Sequence, residues 1–193
     1  MEPIRAFIAI ELPGHIKAAL SQLQAHLKTG KSASVKWVDP EGIHLTLKFL
    51  GNVDESEIPA INKALSEAVG GISPFNLELG EPGAFPSIHA PRVVWVGVGG
   101  EMEPLRTLHN NVDRVLIPLG FPQEKRAFSP HLTLGRVREE ALPGERLRLA
   151  ESVAALKTGE KSSFRVESLS LMRSKLTREG AIYSCLASFA LGD

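Results

Sequence analysis

The sequence predicts an α+β protein of two pseudo-twofold-related lobes, each an antiparallel β-sheet with helices on its outer face, and a cleft between them. Three observations in the 193-residue chain lead there. Strand-like apolar runs and amphipathic helical segments follow one another in the same order in both halves. The tetrapeptide His-Leu-Thr-Leu occurs at 44–47 and again at 131–134. The spacing around it agrees too: Arg5 stands 39 residues before His44 and Arg92 39 before His131, while Phe75 and Phe164 follow the two histidines by 31 and 33. Self-similarity of this kind marks an internal repeat. Its copies run approximately over 4–81 and 91–173, with 181–191 as a closing hairpin strand, so that 1–193 forms one two-lobed domain.

Each element has a local reason. Residues 5–10 (RAFIAI) are short and rich in Ile and Phe, and Pro13 with Gly14 closes them off, as in a buried strand. In 15–30, Ile16, Ala19, Leu20, Leu23 and Leu27 recur at helical spacing and Gly30 supplies a stop. The segment 35–51 reads as a strand, a turn at Pro40–Gly42 and a second strand, a hairpin-like arrangement. Asp54 with Glu57 forms a capping box for a helix over 55–70, and 74–80 (PFNLELG) is a strand. The stretch 81–91 (EPGAFPSIHAP), with three prolines, is the expected crossover between the halves. The second half repeats the order: strand 92–99, helix 103–120, strand 129–137, helix 144–157, strand 163–172. A last strand, 181–191, pairs with 168–174 as an antiparallel hairpin.

Composition narrows the class. Lys plus Arg number 22 and Asp plus Glu 22, so no net field draws in nucleic acid along its length and any RNA contact is local. A lone cysteine, Cys185, expected as a buried strand residue, fits a reducing cytoplasm. Glu11 and Pro13 stop the amino-terminal apolar run far short of a membrane span.

The repeated tetrapeptide carries the chemistry. On a strand, His44 and Thr46 share one face while Leu45 and Leu47 point to the core, and His131 and Thr133 do the same in the second copy. Two such faces across a cleft supply two imidazoles and two hydroxyls. In-line displacement at phosphorus needs a base for the attacking water and an acid for the departing oxygen, and histidine is the side chain able to serve as either near neutral pH. Thr46 and Thr133 would donate to the non-bridging phosphoryl oxygens, with a cation balancing the developing charge. Strict alternation places Lys48 on the face of His44; Arg136 reaches the face of His131 if Gly135 marks a bulge. No metal or other cofactor enters this scheme.

The stretches WVDPEGIHLTLKFLG and FSPHLTLGR, with RAFIAIELP and FPSIHAPRVVWVGV before them, resemble the RNA 2',3'-cyclic phosphodiesterases of the two-histidine phosphoesterase superfamily, whose bacterial members were first described as 2'-5' RNA ligases. The resemblance covers essentially the whole chain. It implies hydrolysis of a terminal 2',3'-cyclic phosphate to a 2'-phosphomonoester, and a reverse activity joining tRNA halves through a 2'-5' bond. It also implies His44 as proton donor and His131 as proton acceptor; the symmetric motif itself does not say which imidazole is the acid. The partners expected are RNA 3' ends or small 2',3'-cyclic nucleotides, no membrane, and a chain that acts as a monomer.

Phe49 and Phe128 flank the motifs and are candidates for base stacking, although core packing is the commoner use of such residues. His15, His26, His89 and His109 lack ligand-like spacing, and Trp37 and Trp95 lie in strands and are expected in the core. Competing uses of the same cleft are ligation or cleavage of another 2'-5' phosphodiester, and a non-catalytic RNA-end binding module. A zinc hydrolase lacks a third suitably spaced ligand.

Overall fold

The computed structural model describes residues 3–28, 35–156, 162–177 and 180–192; the expected helix stop at Gly30 lies outside them. Nine strands and four α-helices follow in the order β1 (Ile4–Glu11), α1 (Gly14–Lys28), β2 (Val35–Trp37), β3 (His44–Val53), α2 (Ile58–Ala68), β4 (Phe75–Ser87), β5 (Ala90–Gly100), α3 (Met102–Leu116), β6 (His131–Val137), α4 (Pro143–Ala155), β7 (Ser163–Val166), β8 (Ser168–Leu176) and β9 (Ala181–Ala190) among the described residues. They form two antiparallel sheets, β3-β1-β8-β9 and β2-β6-β5-β4-β7.

Local signals placed most elements. Asp54 N–H donates to the Glu57 carboxylate at 2.9 Å, the capping contact expected ahead of α2, with a helical turn at Glu55–Glu57 between. Helices α2 and α3 pack together behind the first sheet, and α1 and α4 behind the second. Gln24 of α1, fully buried, donates from Nε2 to Val38 O at 2.7 Å and Leu134 O at 2.9 Å, tying its helix to β6. Each sheet is thus backed by one helix from either half of the chain. A single apolar core runs behind both sheets, with Ile8, Ile10, Leu45 and Leu47 on one and Val94, Val96, Leu132 and Leu134 on the other.

Four expectations about connectivity change. β2 does not form a hairpin with β3; it pairs with β6, Val35 opposite Val137 and Trp37 opposite Gly135, because the Pro40–Gly42 helical turn redirects the chain into the other sheet. The stretch 81–91 is not a crossover but the body and tip of the β4–β5 hairpin, its prolines accommodated at register shifts. The expected strand 163–172 breaks at Glu167, so that β7 pairs with β4 in one sheet and β8 with β1 in the other. Finally, the equal spacing of Arg5 and Arg92 is not structural equivalence. Phe7, Ala9 and Glu11 on β1 face Phe49, Thr46 and His44, whereas Val93, Trp95 and Gly97 on β5 face Arg136, Thr133 and His131. That match runs at an offset of 86 for β1 against β5 and 87 for the histidines, so Arg5 and Arg92 lie on opposite faces of their strands.

Candidate active site

His44 and His131 are each the first residue of a strand, β3 and β6, and these two strands pack against each other where the sheets meet. Behind the strands lie the helices; the histidines and threonines lie on the opposite face from the buried leucines. The burial alternates as the sequence predicts: Leu45, Leu47, Leu132 and Leu134 are buried, and His44, Thr46, His131 and Thr133 are half-buried.

The imidazoles are held alike. His44 Nδ1–H donates to Gly42 O at 2.8 Å, and His131 Nδ1–H donates to Ser129 O at 2.7 Å, in both cases a carbonyl two residues earlier. A carbonyl oxygen only accepts, so Nδ1 carries the proton and Nε2 is the atom each ring turns to its surroundings. His44 is stacked on Phe7 at 4.6 Å and meets the edge of Tyr183 at 4.8 Å. His131 meets Phe85 at 5.0 Å and Trp95 at 6.2 Å between ring centroids. Burial pushes the His44 imidazole below its ordinary value, an effect partly offset by its bond to Gly42 and by the Glu11 carboxylate.

The bulge expected at Gly135 is present, and it occurs in both strands. Between β5 and β6 the register slips from Trp95–Thr133 to Val94–Gly135, leaving Leu134 and Gly135 both buried and turning Arg136 outward onto the face of His131. Between β1 and β3 it slips at the matching place, from Ala9–Thr46 to Ile8–Lys48. Lys48 is therefore not on the face of His44. Its ammonium donates to Asp113 of α3 at 2.5 Å and to Pro122 O at 2.7 Å, with both charged side chains 3% exposed. Lys48 is withdrawn as a phosphate ligand because the bulge that frees Arg136 buries its counterpart. Gly135 takes that buried place in the second copy, since a Cβ there would stand 2.8 Å from Val35 Cγ1 and 2.9 Å from Trp37 Cε3.

The same slip turns Phe49 onto the open face, 64% exposed and 6.1 Å from Phe7. Phe128 packs in the commoner way: its ring lies on His109 of α3 at 4.0 Å and 14°, half-buried against the core. Trp95, expected in the core, sits beside His131 with its indole resting on Gly83, where a side chain would overlap it. Trp95, Phe85, Phe7, Tyr183 and Glu11 were not legible as site residues; the one available signal was the alternation of β1 and β5 relative to the histidine strands. Cys185, expected to be buried, is exposed on β9. Among the described residues no group of three or more His, Cys, Asp or Glu could hold a metal, and no helix is long and apolar enough to cross a membrane.

Two sheets, each carrying one imidazole and one threonine on the face turned from its helices, with an arginine on the face of the second pair, have the arrangement of a two-histidine phosphoesterase. The comparisons agree. The family model described as the 2'-5' RNA ligase superfamily matches residues 12–178, and the chain belongs to that family. It is 38% identical over 188 residues to an RNA 2',3'-cyclic phosphodiesterase of Methanothermobacter thermautotrophicus, covering 97% of this chain and 99% of that protein. It is 36% identical over 186 residues to a protein of the same description from Archaeoglobus fulgidus, covering 96% and 99%. Among solved structures, E. coli LigT complexed with 3'-AMP superimposes with a TM-score of 0.76 at 30% identity, covering 100% of both chains.

Proposed function

We propose that this protein hydrolyses the 2',3'-cyclic phosphate at an RNA 3' end to a 2'-phosphomonoester by acid-base catalysis between His44 and His131. The observation that carries it is the pair of imidazoles with the same tautomer, each exposing Nε2, on the two strands that join the sheets. His131 Nε2 takes a proton from the attacking water, whose oxygen forms the new bond to phosphorus. His44 Nε2–H gives a proton to the ribose 3' oxygen as its bond to phosphorus breaks. This donor and acceptor assignment follows the family. Thr46 and Thr133 hydroxyls donate to the non-bridging oxygens, and Arg136, whose fork suits two phosphoryl oxygens at once, balances the charge. The scheme needs protons and fixed donors alone, so it runs without a metal.

The taking of 4–81 and 91–173 as two copies of one repeat is supported by the matching bulges and by the β4–β7 pair. In that pair Phe75 lies opposite Val166 and Leu77 opposite Phe164, an arrangement that maps onto itself when Phe75 is equated with Phe164. The description of the family as 2'-5' RNA ligases favours a second reading in the same cleft, in which a 5'-hydroxyl takes the place of water and its oxygen bonds to phosphorus as the bond to the ribose 3' oxygen breaks, leaving a 2'-5' bond; tRNA halves and small cyclic nucleotides are the substrates of the two readings, and the cytoplasm their place. Single replacement of His44 or His131 by Ala, assayed on a 2',3'-cyclic nucleotide with a chelator present, tests the proposal. Each should lower kcat by roughly 10²- to 10⁴-fold. Wild-type turnover in both variants would remove it.

A further inference from the structure

The two imidazoles are alike in tautomer and in backbone anchor, so whatever makes one the acid lies around the rings. Their cross-strand partners differ. Opposite His44 stands Glu11, the last residue of β1; in the same register position opposite His131 stands Gly97, which brings no charge. Ser170 Oγ, 1% exposed, donates to Glu11 Oε1 at 2.7 Å and fixes the carboxylate. Glu11 and His44 together line a cavity of about 130 Å³.

The titratable groups that face this cavity with His44 are Glu11 from β1, Lys17 from α1, Glu41 from the Pro40–Gly42 turn, and Tyr183 and Cys185 from β9. Lys17 and Glu41 pair with each other at 3.1 Å and cancel. Partial desolvation and the neighbouring Glu11 carboxylate push the Cys185 thiol up, so it stays neutral, and Tyr183 presents a ring edge. The Glu11 carboxylate is the charge left over beside His44.

We propose that Glu11 is the positioning residue that lets the buried His44 hold the proton it donates. A carboxylate beside an imidazole favours the imidazolium. It offsets part of the desolvation that otherwise disfavours a proton on His44, and glycine at the second site offers His131 no such help. The proton that His44 carries then goes to the leaving ribose oxygen, and the proton released by water goes to His131, so the pair ends the step with its charge exchanged. Serving as donor rests on the acid-base reading above; the electrostatic bias itself does not.

Glu11→Gln keeps an acceptor for Ser170 and removes the charge. Imidazole resonances, assigned from His44→Gln and His131→Gln spectra, are followed by pH titration, and kcat/KM on a 2',3'-cyclic nucleotide is measured in parallel. In Glu11→Gln the His44 midpoint moves to lower pH while that of His131 stays, the limb of kcat/KM that His44 sets follows it downward, and activity above neutral pH falls several-fold. Glu11→Asp restores both toward wild type, and Glu11→Lys displaces the His44 midpoint further. An unchanged His44 midpoint in Glu11→Gln and Glu11→Lys, or equal movement of both histidines, overturns the inference. The titrations need no turnover: shifted midpoints in a protein inactive on cyclic phosphates would sink the hydrolase reading and leave Glu11's effect on His44 standing.

Discussion

Replacing Asp113 by Ala leaves the Lys48 ammonium in the core without its counter-ion. Both side chains are 3% exposed and their charged atoms stand 2.5 Å apart, so water cannot take over the role of the carboxylate. Breaking a buried pair by deleting one partner costs about 3–5 kcal/mol, because the survivor keeps its full desolvation penalty. For a chain of this size that is a fall in Tm of roughly 6–20 °C, read by thermal denaturation followed by circular dichroism. Pro122 O, which Lys48 also reaches at 2.7 Å, softens the loss without removing it. The double variant Lys48→Met, Asp113→Leu replaces both charges by apolar groups and should return to within about 1–2 kcal/mol of wild type. Its kcat on a 2',3'-cyclic nucleotide should stay near wild type, since Lys48 faces α3 and not the cleft. A Tm for Asp113→Ala within about 2 °C of wild type would refute the buried-pair reasoning. A double variant that is stable yet has lost turnover would put Lys48 back among the phosphate ligands.

Gly135→Ala pushes a methyl group against Val35 and Trp37 and should destabilise by about 1–3 kcal/mol, measured as a lower urea midpoint with unchanged slope. Because burial lowers the His44 imidazole in the folded chain, the unfolded chain takes up the proton first on acidification. The contribution is complete above the ordinary histidine value and is lost as pH falls through the lower folded one, so His44→Gln should lose less stability than wild type between about pH 7 and pH 5 in urea titrations. Arg136→Lys keeps the charge but not the fork, and should lower kcat/KM by roughly tenfold with Tm unchanged, Arg136 being exposed. An unaltered kcat/KM there would remove Arg136 from the site.

The strands and helices, the faces of the two tetrapeptides and the bulge at Gly135 were legible because each is a local signal: periodicity, a cap, a glycine inside a strand. The path of the chain between sheets was not. Nothing in 35–51 tells a hairpin from a strand handed to a neighbouring sheet, since the partner of β2 lies about a hundred residues on, in β6. Lys48 was misplaced because strict alternation holds only in an unbulged strand, and a bulge does not require glycine. The correction was within reach: His-Leu-Thr-Leu-Lys set against His-Leu-Thr-Leu-Gly carries the inferred bulge from Gly135 onto Lys48. Trp95 was expected in the core for a similar reason. A large ring at strand spacing fits core and cleft equally, and what separates them is Gly83 beneath Trp95 and His109 beneath Phe128, both far away in sequence.

The central claim is that both imidazoles serve one phosphorus atom. Stepwise addition of 2'-AMP to the protein, followed through the imidazole resonances of His44 and His131, tests it most directly. Both sets should move along a single saturation curve that ends at one equivalent of nucleotide. Movement of one ring alone, or two curves with separate midpoints, would mean two pockets and no shared phosphate.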